Sequence, residues 1–282
     1  MHFASILPES EYSYLKADLG GITLVGKSIA GIETVLCLPQ LDLCFDTGRA
    51  PDFAVNQSVL GLTHWHLDHA GGILNFLGLR CLNSLPPLKI IVPDEKKEQA
   101  IEFLNSAKKI SESKITFEIL SANQTFSLKK DYQISGISNF HCTPSTGYLV
   151  ETIKNKLKPE FADLDGSEIV LLKNKGVEIT QQMIQPYVAF SGDSMGEFLQ
   201  TPAAKASVLI MECSFFGDES DYAKVRHYGH THIDDWRQHA ELIESDFVVM
   251  THTSVRYSKK DIEVACRKKL PGHLLERLVV WR

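Results

Sequence analysis

The 282-residue chain is short of several things, and each shortage narrows what it can be. None of its six cysteines, Cys37, Cys44, Cys81, Cys142, Cys213 and Cys266, forms a C-x-x-C pair. That removes the thiolate metal sites and redox motifs such pairs build, and the cysteines read as reduced thiols in or near a core. No apolar run approaches the about 20 residues of a membrane span. Residues 1–10 carry neither a basic start nor a long apolar stretch, so no secretory leader is expected and a soluble, cytoplasmic chain is the default. Positive charge is scarce: 29 Lys and Arg against 35 Asp and Glu give a net charge of −6. This excludes nucleic-acid binding by bulk charge, so any RNA contact needs a local basic patch plus bound cations. There is no low-complexity tract, no fixed-period repeat and no linker. Residues 1–282 therefore read as a single domain, with 44% hydrophobic residues available for its core.

What the chain does have is concentrated in Thr63-His64-Trp65-His66-Leu67-Asp68-His69-Ala70-Gly71-Gly72. Four residues of metal-ligand type fall within six positions, after the apolar run Ser58-Val59-Leu60-Gly61-Leu62 and before a helix-forming run. The pattern reads as a buried strand, a tight loop and a helix start. Imidazole and carboxylate are the ligands of a catalytic zinc. Strand alternation puts His64 and His66 on one side. The turn aims Asp68 and His69 the other way, so one loop can serve two metals about 3.5–4 Å apart.

The rest of the chain supplies further candidates. Strands are expected over residues 21–26, 33–38 and 41–45. Asp46, before Thr47-Gly48, reads equally as a turn-former and as a partner of a ligand histidine. A proline-bounded strand over residues 88–92, a helix over 94–110 and strands over 115–120 and 132–137 follow. His141 stands at a strand-to-loop break, with Pro144 forcing extended backbone behind it. A lone histidine is usually structural, but a zinc held by His64 and His66 needs a third protein nitrogen. Residues 151–186 are the least regular part and read as an insertion, with Lys154, Lys156 and Lys158 forming a solvated charge run. Tyr187-Val188-Ala189-Phe190-Ser191-Gly192-Asp193 is a strand that ends in a carboxylate placed to bridge two metals. A strand over residues 207–211 delivers Glu212-Cys213-Ser214. His227-Tyr228-Gly229-His230-Thr231-His232 opens an amphipathic helix through Trp236, Ala240, Leu242 and Ile243. A strand over residues 246–250 then delivers Thr251-His252-Thr253-Ser254-Val255-Arg256-Tyr257.

Thr63 to His69 resembles the signature of metallo-β-lactamase-fold hydrolases. This implies an α/β chain folded as a four-layer αββα sandwich with a two-metal site at one edge. Other segments resemble the ribonuclease Z (3′-tRNA endonuclease) branch. They are His141-Cys142-Thr143-Pro144-Ser145-Thr146-Gly147-Tyr148, Ser191-Gly192-Asp193, Glu212 followed by Gly229-His230-Thr231, and Thr251 to Tyr257. Ser28-Ile29-Ala30-Gly31-Ile32-Glu33-Thr34 and Phe45-Asp46-Thr47-Gly48-Arg49 look most like the short form found in plants. The resemblance spans about residues 26–257. Three departures stand out. Met211 and Cys213 replace the His and Ala of the family's H-E-A-T segment. The Gly-Pro-rich arm is missing. Gly26-Lys27-Ser28-Ile29-Ala30-Gly31 stands where the family has P-x-K-x-R-N, which bears on discrimination against tRNA already carrying CCA.

The resemblance implies a zinc at His64, His66 and His141, a second zinc at Asp68, His69 and His252, and Asp193 bridging them; manganese or iron(II) are alternative ions. Between two cations a water loses its proton near neutral pH. Asp68 would orient that water and accept its proton. His230, supported by Glu212, would protonate the leaving ribose oxygen, and Arg256 would contact a phosphate. The expected activity is removal of the 3′ trailer of precursor tRNA. The alternative is hydrolysis of a small phosphodiester or another small molecule. By the same resemblance the protein is expected to be a homodimer.

Overall fold

The computed structural model describes residues 14–218 and 222–282 in full, together with the backbone of residues 2, 3, 5 and 6. The stretch in which no leader was read, residues 1–10, lies largely outside the described residues. In chain order the strands are β1 His2–Phe3, β2 Ser5–Ile6, β3 Leu15–Asp18, β4 Thr23–Ile29, β5 Glu33–Leu38, β6 Leu43–Phe45, β7 Val59–Gly61 and β8 Leu88–Val92. They continue as β9 Phe117–Ser121, β10 Phe126–Lys129, β11 Tyr132–Ile137, β12 Gly147–Leu157, β13 Thr180–Phe190, β14 Val208–Glu212, β15 Phe247–Thr251 and β16 Leu278–Val280. Among the described residues they form two eight-stranded sheets, one running β2 to β9 in sequence order and the other ordered β1-β16-β15-β14-β13-β12-β11-β10.

The apolar runs become central strands because both faces of each sheet are covered. In β14, Val208 and Ile210 face the core between the sheets, while Leu209 and Met211 face the helices outside. In β5, Leu36 and Leu38 point inward, and Val35 and Cys37 point to the opposite helical layer. That outer layer is α1 (Asp52–Val55), α3 (Ile73–Leu82) and α4 (Lys97–Ile110). The other is α7 (Ile233–Gln238) and α8 (Lys259–Lys269), which press Trp236, Ile262 and Cys266 onto the second sheet. The remaining helices are α2 (Leu67–Ala70), α5 (Gly166–Asn174), α6 (Tyr222–His227) and α9 (Gly272–Leu275). The αββα layering follows from this alternation.

Two expectations fail. Residues 151–186 are not irregular. β12 and β13 pair over ten positions, from Tyr148 opposite Phe190 to Leu157 opposite Thr180. β11 accompanies β12 only as far as Thr152, so the distal half of the hairpin runs on past the sheet and carries α5 near its tip. An isolated hairpin has no buried face, so its residues alternate without the apolar content that marks a strand. Between residues 153 and 180 it carries five lysines (154, 156, 158, 173 and 175) and five carboxylates (160, 163, 165, 168 and 178), which makes it a mixed surface and not a basic patch. The second failure is the long amphipathic helix. His227 ends α6, and α7 has six residues capped by His232 before a separate 3-10 turn at Ala240–Leu242. Trp236, Ala240 and Ile243 are core residues as expected, but Leu242 is exposed. A 3-10 turn repeats at i+3, so its apolar spacing merges with that of a neighbouring helix.

The parallel strands β6, β7 and β8 end at the same edge, as do β13, β14 and β15. The sheets are joined there by Tyr148, whose fully buried hydroxyl lies 2.9 Å from Leu62 O and 2.8 Å from Ile91 O. Removing a buried donor from such a pair costs about 1–3 kcal/mol. Tyr148→Phe should lower the unfolding free energy by about 1–3 kcal/mol, read as a lower urea midpoint with the slope of the transition unchanged. An unshifted midpoint would mean that the hydroxyl does not tie the sheets together.

Candidate metal centre and active site

Every candidate ligand leaves a strand end on this one edge. β7 runs out into Thr63 to His69, with α2 turning Asp68 and His69 away from His64. The loop after β11 brings His141, β13 brings Asp193, β14 brings Glu212, and β15 brings His252. Gly192 has φ +58°, and a Cβ there would fall 2.7 Å from the Thr63 side chain. Only glycine lets the Asp193 strand end lie this close to the His64 loop. His252 also has positive φ, +53°, rare for a residue with a Cβ. Its backbone N–H is pinned by Ser28 Oγ at 3.1 Å.

Three groups of ligand-type atoms result among the described residues. His64, His66, His141 and Asp193 each offer one ligand atom, all within 4.8 Å of one another, as do Asp68, His69 and His252 and, overlapping both, Asp193, Glu212, His230 and His252. Asp193 lies between the first two groups, with Oδ2 3.7 Å from His64 Nε2 and Oδ1 3.2 Å from both His69 Nε2 and His252 Nε2.

The surrounding hydrogen bonds decide which ring nitrogens are free. His69 Nδ1–H donates to Asp46 Oδ2 at 2.7 Å. His141 Nδ1–H donates to Gly229 O at 2.8 Å. Thr63 Oγ1 gives its proton to Asp46 and so accepts from His64 Nδ1–H at 3.0 Å. Ser214 Oγ gives its proton to Glu212 Oε2 at 2.5 Å and so accepts from His252 Nδ1–H at 3.0 Å. All four rings are left with Nε2 turned inward, the nitrogen a metal would use. This is the orientation that outer hydrogen bonds impose on metal-binding histidines. Asp46 is thus the hydrogen-bond partner of His69, a candidate ligand, and not only a turn-former.

The charges agree. Burial, with the neighbouring His69, lowers His64 to about 2, so its lone pair is available at any working pH. Burial, followed by His141, lowers His66. His69 differs: burial opposes its charge, but the Asp193 and Asp46 carboxylates outweigh it and raise the ring well above the ordinary imidazole range, so without a cation its Nε2 holds a proton that metal binding would displace. Burial disfavours ionised Asp193, yet His252 and His69 hold it well below the usual carboxylate range. His64 Nε2 and Asp193 Oδ1 are buried with no hydrogen-bond partner. Buried lone pairs and carboxylates without donors call for a cation, and nitrogen with carboxylate oxygen is a donor set suited to a divalent metal ion. The residues fit such an ion.

In the third group, His230 Nδ1 lies 2.9 Å from Glu212 Oε1. Burial opposes the imidazolium, but the Glu212 carboxylate overrides it and raises His230 to about 9. Glu212, fully buried, also accepts from Ser194 N at 2.7 Å. A cavity of about 310 Å³ opens over the centre, lined by His66, Asp68, Asp193, His230, His252 and Arg256, with Ala30, Gly31, Ser214, Phe215 and Ser254. Arg256 is its one Lys or Arg, with Cζ 5.9 Å from the centre of the Phe215 ring. All the expected site residues are therefore brought together. Sequence reasoning missed Ser28, Gly31 and Ser214. Gly31 N–H donates to Asp68 Oδ2 at 2.9 Å. Ser214 could have been found, because it follows Glu212 by two positions at a strand end and so shares its side. Ser28 and Gly31 act on partners 224 and 37 residues away, and nothing local signals that.

Fold and site define a metal-dependent hydrolase of the metallo-β-lactamase fold. No family model matches the chain. It is 38% identical over 254 residues to tRNase Z TRZ1 of Arabidopsis thaliana, covering 88% of this chain and 91% of that protein. It is 34% identical over 277 residues to the chloroplastic tRNase Z TRZ2 of the same plant, covering 94% of this chain and 78% of the relative. Among solved structures it superposes on the short form of human tRNase Z with TM-score 0.59 at 15% identity, over 90% of this chain and 93% of that one. The chain belongs to the tRNase Z family.

Asp46 offers a clean check on the centre. It has φ +55°, which asparagine tolerates, so Asp46→Asn keeps the backbone while removing the charge behind His69. Loss of such an outer partner costs about 10–100-fold in metal affinity. Equilibrium dialysis of a divalent ion against a competing chelator should show that loss with the circular dichroism unchanged. Undiminished affinity would contradict the arrangement.

Proposed function

We propose that the protein is an endoribonuclease that removes the 3′ trailer of precursor tRNA, using two zinc ions or, alternatively, manganese or iron(II). His64, His66 and His141 would hold one ion, Asp68, His69 and His252 the other, and Asp193 both. The observation that carries the reading is the His230–Glu212 pair opening onto the same cavity as the first two groups of ligand atoms, in a chain of the tRNase Z family. Divalent ions in that centre supply Lewis-acid polarisation of a phosphoryl oxygen and acidification of water.

The protein's own groups do the rest. Asp68, its Oδ2 fixed by Gly31 N–H, orients the attacking water and accepts its proton. His230 is on the opposite task. A ribose 3′-oxygen leaves poorly as an alkoxide, and an imidazolium kept charged by Glu212 can donate the proton it needs. Arg256 lines the cavity and meets a phosphate oxygen as substrate enters. The lack of any other Lys or Arg in the lining fits a site where bound cations, not side chains, offset the phosphate charge.

Three outcomes test the reading. Metal analysis of protein purified without chelator should find about two divalent ions per chain, and less than one would count decisively against it. Asp68→Ala should abolish hydrolysis of phosphodiesters while the protein stays folded; near-normal turnover would remove Asp68 from the mechanism. His230→Ala should lose about 10²–10⁴-fold on 3′-extended tRNA and little on an aryl phosphodiester, whose leaving group needs no proton. Equal losses on both substrates would place His230 in binding or structure. Glu212→Ala should harm both, because through Ser214 it also orders His252. No cleavage of tRNA by the wild type, with good turnover of a small diester, would favour a small-molecule hydrolase.

A further inference from the structure

We infer that the recess lined by Trp65 and Phe103 is a stacking site for one unpaired nucleobase of the RNA, close to the phosphate that is cut; this rests on the nuclease reading above. The recess, about 260 Å³, is lined by Trp65, Lys96, Gln99, Ala100 and Phe103. It is separate from the cavity over the metal centre but continuous with it through the chain. Trp65 stands between His64 and His66, whose rings are 4.6 Å apart. β8 lies beside β7, so the start of α4 reaches the same edge of the sheet.

The recess is not an accident of core packing. α4 meets the core through Ala100 and Leu104, while Phe103 is 46% exposed and adds nothing to that contact. Trp65 rests on the core beneath α3 and α4, so its ring is held in place. The Trp65 and Phe103 rings lie 5.9 Å apart at 83°, edge to face. Leu67, 84% exposed, follows on the same loop. An occupant must be flat, apolar on its faces and polar at its edge, where Gln99 and Lys96 can reach it. The volume is below the about 300 Å³ at which sites for drug-sized ligands begin, which suits a single base. A free phosphate does not suit it: the walls are mostly apolar, Lys96 is the one cation among them, and Asp94 and Glu95 precede it in sequence. An RNA substrate brings such a base, tethered to a backbone that the ammonium of Lys96 can attract. Every base has a stackable face, so the site would hold RNA without reading its sequence.

Tryptophan emission tests this directly. Trp236 and Trp281 are fully buried, so a ligand that quenches fluorescence on contact acts on Trp65. A short phosphorothioate oligoribonucleotide that resists cleavage should quench it. The same chain built of abasic residues should not. Phe103→Ala should weaken the base-bearing oligonucleotide by about 5–150-fold, the range of one base stacked on an aromatic ring. In kinetics, the variant should raise KM for 3′-extended tRNA with little change in kcat. An abasic residue placed beside the scissile phosphate, on each side in turn, should penalise the wild type on one side and leave the variant indifferent there. Equal quenching by base-bearing and abasic chains, no quenching, or a Phe103→Ala variant as sensitive to the abasic residue as the wild type would each overturn the inference. The quenching arm needs no cleavage. If the wild type fails to cut tRNA, the nuclease reading falls, while quenching still decides whether bases bind here.

Discussion

Asp193 is the constraint on which the rest of the structure depends. Its carboxylate is almost fully buried, and it sits between inward-turned Nε2 atoms of His64, His69 and His252. Burying that much lone-pair density is costly; His252 and His69 offset part of it, and a divalent cation would offset the rest. The sandwich can be understood as the scaffold that makes this crowding tolerable. Two sheets with helices outside put six strand ends at one edge, Tyr148 ties those ends together, and Gly192 permits the close approach. The residues around the centre, Asp46, Thr63, Ser214 and the Gly229 carbonyl, each hold a proton on the outer nitrogen so that the inner one faces the centre.

Glu212 links this centre to the proposed chemistry of the leaving group. It accepts from His230 on one oxygen and from Ser214 on the other, and Ser214 in turn orients His252. One buried carboxylate therefore supports both the proposed proton donor and a candidate metal ligand. This explains how Met211 and Cys213 can stand where the related segment has His and Ala. Both side chains face away from the site into the outer helical core, whereas Glu212, with Ser214 two positions on, turns toward it.

Much of this was legible in the sequence. The H-x-H-x-D-H loop is local, so its strand–loop–helix context and its ligands could be read together. Asp193, Glu212 and His252 each end an apolar run, which marked them as strand-end residues before their partners were known. Other features were not legible, for physical reasons. Beyond the sheet the β12–β13 hairpin is mostly half-buried or exposed, with Ile179 as its buried residue, so periodicity gave no strand signal there. The run from Trp236 to Ile243 divides into α7 and a 3-10 turn that share an apolar spacing. Ser28 and Gly31 act through backbone N–H bonds to and from distant partners, which composition cannot encode. The base-sized recess arises where α4 meets the signature loop, a contact between two segments that are each ordinary alone.

The central claim is that a water is directed at a phosphate whose 3′-oxygen leaves with a proton from His230. The chemical identity of the ends produced from a 3′-extended tRNA, read by mass spectrometry, tests it most directly. A 3′-hydroxyl on the tRNA and a 5′-phosphate on the released trailer are the expected ends. A 2′,3′-cyclic phosphate on the tRNA, with a 5′-hydroxyl on the trailer, would mean that the ribose itself is the nucleophile and would contradict the roles given to Asp68 and His230.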